Sequence, residues 1–223
     1  MRLRHIKGCE QFIADSRFCF SGEEVLLKRG RWKEVYGNSQ PLHIEIGMGK
    51  GQFIRSAAEK HKEINFLGIE KYQTVLMKAL QRRERREEEI GAYANLYFAC
   101  FDAKELCAVF EEGEVDKIYL NFSDPWPKER HASRRLTSPG FLGLYAKILK
   151  EGGSLEFKTD NADLFSYSLA SVSESGWEIV FKSFDLHREE KAKENIMSEY
   201  EEKFSQRGQK IHKLEALYRG GER

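Results

Sequence analysis

The most constraining stretch of the chain is Leu42 to Lys60. There an apolar run, Leu42-His43-Ile44-Glu45-Ile46, passes directly into Gly47-Met48-Gly49-Lys50-Gly51. Apolar residues then recur at Phe53, Ile54, Ala57 and Ala58, the spacing of one helix face. A buried strand, a glycine loop and a helix in immediate succession form the crevice in which open α/β sheets hold cofactors. Glycine is required because the backbone must approach the ligand where a side chain would collide. The dinucleotide fingerprint G-x-G-x-x-G needs a third glycine at position 52, and this chain has Gln52. The pattern present, E-x-G-x-G-x-G from Glu45 to Gly51, better fits the methionine and ribose end of S-adenosylmethionine.

Further strands follow at the spacing such a sheet needs. Asn65 to Ile69 is the second and ends at Glu70, an acid about twenty residues beyond the glycine loop, where ribose hydroxyls are held. The alternative for Glu70 is a plain strand-end or helix-capping acid. Tyr72 to Ile90 has the length of a long helix, and its RRERREEE run from Arg82 to Glu89 suits i, i+4 pairing on a solvated face. Leu96 to Cys100 is the third strand, with Asp102 just beyond it. Asp102 either sits beside an adenine amine or caps a helix over Ala103 to Phe110. Three acids at successive strand ends (Glu45, Glu70, Asp102) around one glycine loop point together to a bound cofactor.

The fourth strand, Val115 to Leu120, delivers the segment Asn121 to Leu136, NFSDPWPKERHASRRL. Pro125 and Pro127 fix their own backbones and bias their neighbours to extended conformations, so the segment is expected to be an ordered loop and not a helix. An acid, a flat aromatic and a cationic tail suit a planar, polyanionic substrate: the ring stacks on a base, the carboxylate accepts from its amines, and the cations hold phosphates. Trp126 either stacks in this way or is a structural tryptophan.

EIGMGKG at 45 to 51 followed by DPWPKERH at 124 to 131 resembles the bacterial tRNA (guanine-N(7)-)-methyltransferase family, and the resemblance runs on through RRL at 134 to 136. It covers residues from about Trp32 to Ile211. It implies an enzyme that uses S-adenosylmethionine to methylate a guanine in the tRNA variable loop. By position it implies that Glu45, Glu70, Asp102 and Asp124 contact the cofactor, beside the glycines Gly47, Gly49 and Gly51. It also makes Asp124 the active-site acid and Lys128 a substrate contact, with Arg130, His131, Arg134 and Arg135 in an RNA-contacting segment. The family usually has more lysine where this chain has Glu129 and Ser133, which bears on the number of phosphate contacts.

Beyond the loop, Pro139 to Lys150 is expected to be a helix ended by Gly152-Gly153, and Ser154 to Thr159 a strand closing on Asp160-Asn161. The resemblance makes Asp160 a substrate contact; structurally, it is a candidate cap for a helix over Ala162 to Ser173. Trp177 to Phe184 reads as an antiparallel edge strand and Ile211 to Tyr218 as the last strand. Ser198-Glu199-Tyr200-Glu201 matches the family's T-x-Y-E signature with the hydroxyl retained, which implies further substrate contacts at all four positions. His187 and Arg188, with nearby lysines, are expected either to touch RNA or to lie in a mobile, solvated loop. The expected fold is α/β: a Rossmann-like class I S-adenosylmethionine-dependent methyltransferase domain over residues 38–223, with a mostly parallel seven-stranded sheet and helices on both faces.

Residues 1–37 form an extension rich in cations (Arg2, Arg4, Lys7, Arg17, Lys28, Arg29, Arg31, Lys33) and aromatics (Phe12, Phe18, Phe20, Trp32, Tyr36), with a short helix around Glu23 to Arg29. It is either an arm that grips RNA or a strap whose rings pack on the main domain. A net charge of +1 over 223 residues excludes a general polycation, so any RNA affinity must come from local patches. The four cysteines (Cys9, Cys19, Cys100, Cys107) include no CxxC pair, so no metal site is expected. With no membrane-spanning run and an amino terminus broken by charge, the expectation is a cytoplasmic monomer or homodimer. Two other functions fit: an exocyclic-amine nucleic-acid methyltransferase, or a non-catalytic RNA-binding scaffold.

Overall fold

Alternation of apolar strands with amphipathic helices builds most of the molecule. The structure, a computed structural model, describes residues 6–91 and 93–219. It forms two compact units, one ending at Glu111 and the other beginning at Glu112.

In the first unit four strands lie in the order β1-β4-β3-β2: β1 (Cys19–Ser21), β2 (Leu42–Ile46), β3 (Asn65–Ile69) and β4 (Leu96–Cys100). Every pairing is parallel, with Ile44 opposite Leu67 and Gly68 opposite Phe98. Such strands are covered on both faces and read as continuous apolar runs, and all five residues of β3 are buried. Helices α1 (Cys9–Ala14), α2 (Glu23–Leu26), α3 (Trp32–Tyr36), α4 (Gln52–Lys60), α5 (Gln73–Ile90) and α6 (Leu106–Val109) complete the unit.

The expected extension is largely absorbed into this unit as a strap. Trp32 is buried, donates from Nε1 to the Val109 carbonyl at 3.2 Å and stacks on Phe110 at 5.5 Å. The Tyr36 hydroxyl donates to the Phe66 carbonyl at 2.6 Å. Phe18 lies under the buried Arg83 guanidinium at 3.5 Å. Arg17 is exposed, while Arg2 and Arg4 lie outside the described residues. Arg83 corrects the reading of the Arg82–Glu89 run as wholly solvated. Its guanidinium donates to the carbonyls of Tyr93 and Leu96, which fixes the turn into β4.

The second unit orders its strands β5-β6-β8-β7: β5 (Val115–Asn121), β6 (Leu149–Thr159), β7 (Glu178–Ser183) and β8 (His212–Leu217). β5 and β6 are parallel, whereas β6–β8 and β8–β7 are antiparallel. Its helices are α7 (Pro139–Ile148), α8 (Ala162–Glu174) and α9 (Glu199–Ser205). Eight strands thus form among the described residues where the pattern predicts seven, and the addition is β1, too short to show a period. A second difference is that β6 starts at Leu149, directly after α7, and the Gly152-Gly153 pair lies within it. Gly153 is required there, since a Cβ would stand 2.8 Å from the Lys150 carbonyl oxygen.

One face of these four strands carries charge. Burial alone would raise the Glu156 carboxyl, but Lys117, Lys213 and Lys158 outweigh it and hold it at about 2. Lys117 and Lys213 contact it at 2.9 and 3.2 Å. Residues 186–194 are not a loose loop: they form two 3-10 turns, Leu186–Arg188 and Glu190–Glu194, with Leu186 fully buried.

Candidate active site

In the first unit, the glycine loop leaves β2 with Gly47, Gly49 and Gly51 all at positive φ (74°, 59° and 71°). Side chains are disfavoured at such angles, which is why glycine recurs at every second position. The loop is pinned to the end of β3: the Gly47 and Met48 amides donate to the Ile69 carbonyl at 2.9 and 3.1 Å. The Gly49 amide donates to Glu70 Oε2 at 3.1 Å, and the Tyr72 amide to Oε1 at 2.9 Å. Glu70 is therefore built into the loop it faces, and its carboxylate keeps acceptor capacity for a ligand hydroxyl. Burial raises the Glu70 carboxyl above the ordinary range, against the lowering effect of the Tyr72, Gly49 and Lys71 backbone donors.

Glu45, 2% exposed, stands opposite Gly68 in the parallel register. Gly68 is a site residue that the pattern reading missed. A Cβ there would lie 2.2 Å from the Met48 sulfur and 3.0 Å from Phe98 Cδ1, so a side chain at this position would displace the Met48 thioether that packs over β3. The available signal was a glycine in mid-strand, which marks close approach. Asp102 takes its structural alternative. It caps a 3-10 turn (Ala103–Glu105), accepting from the Lys104 amide at 3.0 Å within a capping box completed by Glu105, and Lys71 Nζ lies 3.4 Å from its other oxygen.

In the second unit, the segment after β5 is a strained loop. Phe122 and Trp126 have φ of 52° and 42°, the left-handed region that non-glycine residues seldom occupy. Between them Asp124 is exposed. The loop is held at both ends: the Phe122 amide donates to the Lys158 carbonyl at 2.9 Å, and Arg135 donates to the carbonyls of Pro125 and Trp126 at 3.2 and 3.1 Å. The Arg135 guanidinium also lies 4.2 Å from the Tyr167 ring centre. Trp126 is half-buried, with Arg134 over its ring at 4.9 Å and His131 edge-on at 5.7 Å. The expectation of a helix-free segment needs correction, because Glu129–Arg134 is a 3-10 helix. The proline restraint reaches only the residue before each ring, so it ends ahead of Lys128. Lys128 and Arg130 are exposed.

Asp160 does not cap α8. That role falls to Asn161, whose Oδ1 accepts from the Leu164 amide at 2.7 Å, and this leaves Asp160 half-exposed outside the cap. In the S-E-Y-E segment, Ser198 caps α9 by accepting from the Glu201 amide at 3.1 Å. Glu199 is half-exposed, and Tyr200 is 61% exposed and stacked on Phe122 at 6.4 Å with 17° between planes. Glu201 points the other way and is fully buried against Lys158. Among the described residues no group of three or more His, Cys, Asp or Glu is placed to hold a metal, and no helix is long and apolar enough to cross a membrane.

Residues 39–214 match a family described as "Putative methyltransferase". A tRNA (guanine-N(7)-)-methyltransferase of Lachnoclostridium phytofermentans is 51% identical over 97% of this chain and 98% of its own length. A protein of the same name from Brevibacillus brevis is 44% identical over 97% and 98%. Among solved structures, the 16S rRNA methyltransferase KamB superposes with a TM-score of 0.65 at 10% identity, over 86% of this chain and 94% of that one. An antibiotic-related methyltransferase gives 0.63 at 19% identity over the same shares. These structural likenesses show the fold, the mostly parallel Rossmann-like sheet of class I methyltransferases.

Proposed function

Because the chain belongs to the tRNA (guanine-N(7)-)-methyltransferase family, we propose that it moves a methyl group from S-adenosylmethionine to the 7-nitrogen of a guanine in the tRNA variable loop. The observation that carries the residue assignment is the Glu70–Gly49 lock. It couples a ribose-binding acid to a glycine loop shaped for close approach. The same residues are read as cofactor contacts: Gly47, Gly49 and Gly51 at its methionine and ribose end, Glu45 and Glu70 at its hydroxyls, and Asp102, in addition to its capping role, at its adenine. The cofactor supplies an electrophilic methyl carried on a sulfonium.

The protein's own task is placement. A guanine 7-nitrogen has a lone pair in its plane, so no proton has to leave before it bonds to the methyl carbon. As that bond forms, the carbon–sulfur pair passes to sulfur and the base becomes cationic. In-line placement of nitrogen, carbon and sulfur is then the main requirement. Asp124, also assigned to the cofactor pocket by position, stabilises the developing positive charge and accepts from the guanine edge. Lys128, Arg130, His131, Arg134 and Asp160 are read as substrate contacts, together with the Ser198–Tyr200 segment. Residues 38–223 form the methyltransferase domain in this reading, and a tRNA substrate agrees with a cytoplasmic enzyme; its assembly is read as monomer or homodimer.

Arg134 and Arg135 are expected to separate. Arg134→Ala removes an exposed cation and should reduce the salt slope of tRNA binding by about one. Arg135→Ala should leave that slope nearly unchanged but lower kcat on the order of 10²-fold, because the loop carbonyls lose their anchor. Equal slopes in both variants, with equal kcat, would contradict the assignment.

The test of the function is radiolabelled methyl transfer to unmodified tRNA, followed by nucleoside identification. Label in 7-methylguanosine is the expected result. Label on an exocyclic amine would leave fold and cofactor standing and overturn the Asp124 assignment. Tight tRNA binding without label would favour a scaffold.

A further inference from the structure

We propose that Lys158 and Glu201 form a buried positioning pair that sets Tyr200 against Phe122 as the aromatic seat for the target base. This inference rests on the tRNA methylation reading above and concerns how that site receives its nucleotide.

Both side chains have 0% exposure. Lys158 Nζ donates to Glu201 Oε2 at 2.7 Å, to the Ile196 carbonyl at 2.8 Å and to Asn195 Oδ1 at 3.1 Å. Glu201 Oε1 accepts from Asn195 Nδ2 and lies 3.3 Å from His187 Nε2. One lysine therefore draws residues 195 to 201 onto β6. The same residue acts on the other side through its backbone, since its carbonyl accepts the Phe122 amide. Lys158 thus joins the strained loop of Asp124 to the segment of Tyr200.

The outcome is a pair of nearly parallel rings, Phe122 and Tyr200, extended by Phe204 at 5.8 Å from Tyr200. Tyr200 is among the most exposed large apolar side chains described, and Phe122 is two residues from Asp124. An exposed ring stacked on a half-buried one, two residues along the chain from an acid, fits an unstacked purine, which binds aromatic faces and offers polar edges. Glu201 itself cannot be the contact: it has no exposed surface, and its carboxylate would repel phosphates. A buried ion pair gains little stability over an apolar pair of similar volume, so its effect here is on position. In sequence, Glu201 stands beside Tyr200 in one short motif, and nothing there shows that the two side chains point to opposite sides.

The experiment is a double-mutant cycle in the full chain. It measures kcat and KM for tRNA, cofactor affinity by calorimetry, and thermal melting. E201Q and Y200A are each expected to lower kcat/KM for tRNA by roughly 10- to 100-fold, with cofactor affinity unchanged. The combined variant is expected to be no worse than Y200A alone within about threefold, because Glu201 acts only through Tyr200. Multiplying losses would mean that Glu201 contributes independently, and would overturn the proposal. Hydrogen exchange at residues 195 to 201 is expected to quicken in E201Q; unchanged exchange would overturn it too. If E201Q leaves an unpaired lysine and fails to fold, K158M/E201M removes both charges together. Wild-type kinetics in that folded double variant would likewise overturn the positioning role. A wild-type enzyme that forms no 7-methylguanosine would instead mean that the functional reading itself has failed.

Discussion

Replacing Asp124 with alanine is expected to lower kcat for tRNA methylation by ~10²–10³-fold while leaving tRNA affinity within about threefold. The carboxylate stands exposed between two residues of left-handed backbone, and the loop is held by contacts that do not involve its side chain. Phe122 is tied to the Lys158 carbonyl, and the Pro125 and Trp126 carbonyls are tied to Arg135. Truncation should therefore remove charge and acceptor without moving the backbone, and the melting temperature should barely change, as for most surface substitutions. The loss should appear in kcat, because the base gains positive charge only as the methyl arrives. Asp124→Asn divides the two contributions, since an amide keeps an acceptor but not the charge. Near-normal kcat in the asparagine variant would assign Asp124 to orientation alone. Full activity in the alanine variant would remove it from the mechanism.

The second large effect is expected at Glu70. Glu70→Gln should weaken S-adenosylmethionine binding on the order of 10²-fold, as charge-assisted bonds from the ribose hydroxyls become neutral ones. The wild-type affinity should also depend on pH. Burial raises the Glu70 carboxyl in the free protein, and a bound ligand that donates to it favours the ionised form. Affinity is then full above the raised value and falls by up to about tenfold per unit as pH drops below it. The contribution to folding stability has the opposite sign. A folded-state value raised above the unfolded one adds stability that is fully present below the unfolded value and is lost as pH rises through the folded one. Calorimetric titrations from neutral to mildly acid pH, with proton release on binding followed in two buffers, would measure this. A glutamine variant with the same pH dependence as the wild type would show that another group is responsible.

Much of this was legible because the signals are local. The strand–loop–helix at Leu42 to Lys60 appears where periodicity placed it, and β3 and β4 match to the residue. Glycine at 47, 49 and 51 read correctly as a backbone requirement, and all three have positive φ. Relatives 44–51% identical over nearly the whole chain carry the family that the DPWPKERH segment suggested. Other features had no local signal. β1 has three residues, too few to show a period, and exists because β4 offers it a partner. The aromatics of the first 36 residues looked equally suited to RNA or to packing until Trp32, Tyr36 and Phe18 were seen bonded within the first unit.

What the sequence determined by itself was the class of fold, the conformation of the glycine loop and the family, since each depends on residues close together in the chain and on backbone angles that few residue types adopt. What only the tertiary structure decided was the direction and company of individual charged side chains. Arg134 and Arg135 are neighbours of identical type, yet one covers a tryptophan from outside while the other ties down the loop beneath it. Asp160 and Asn161 compete for one helix cap, and only the second takes it. Lys158 lies in a strand whose alternation cannot tell a solvated cation from one buried against Glu201, forty-three residues away. The reason is physical: a charge is placed by the whole field of partners and solvent around it, and distant segments supply that field only after the chain has folded.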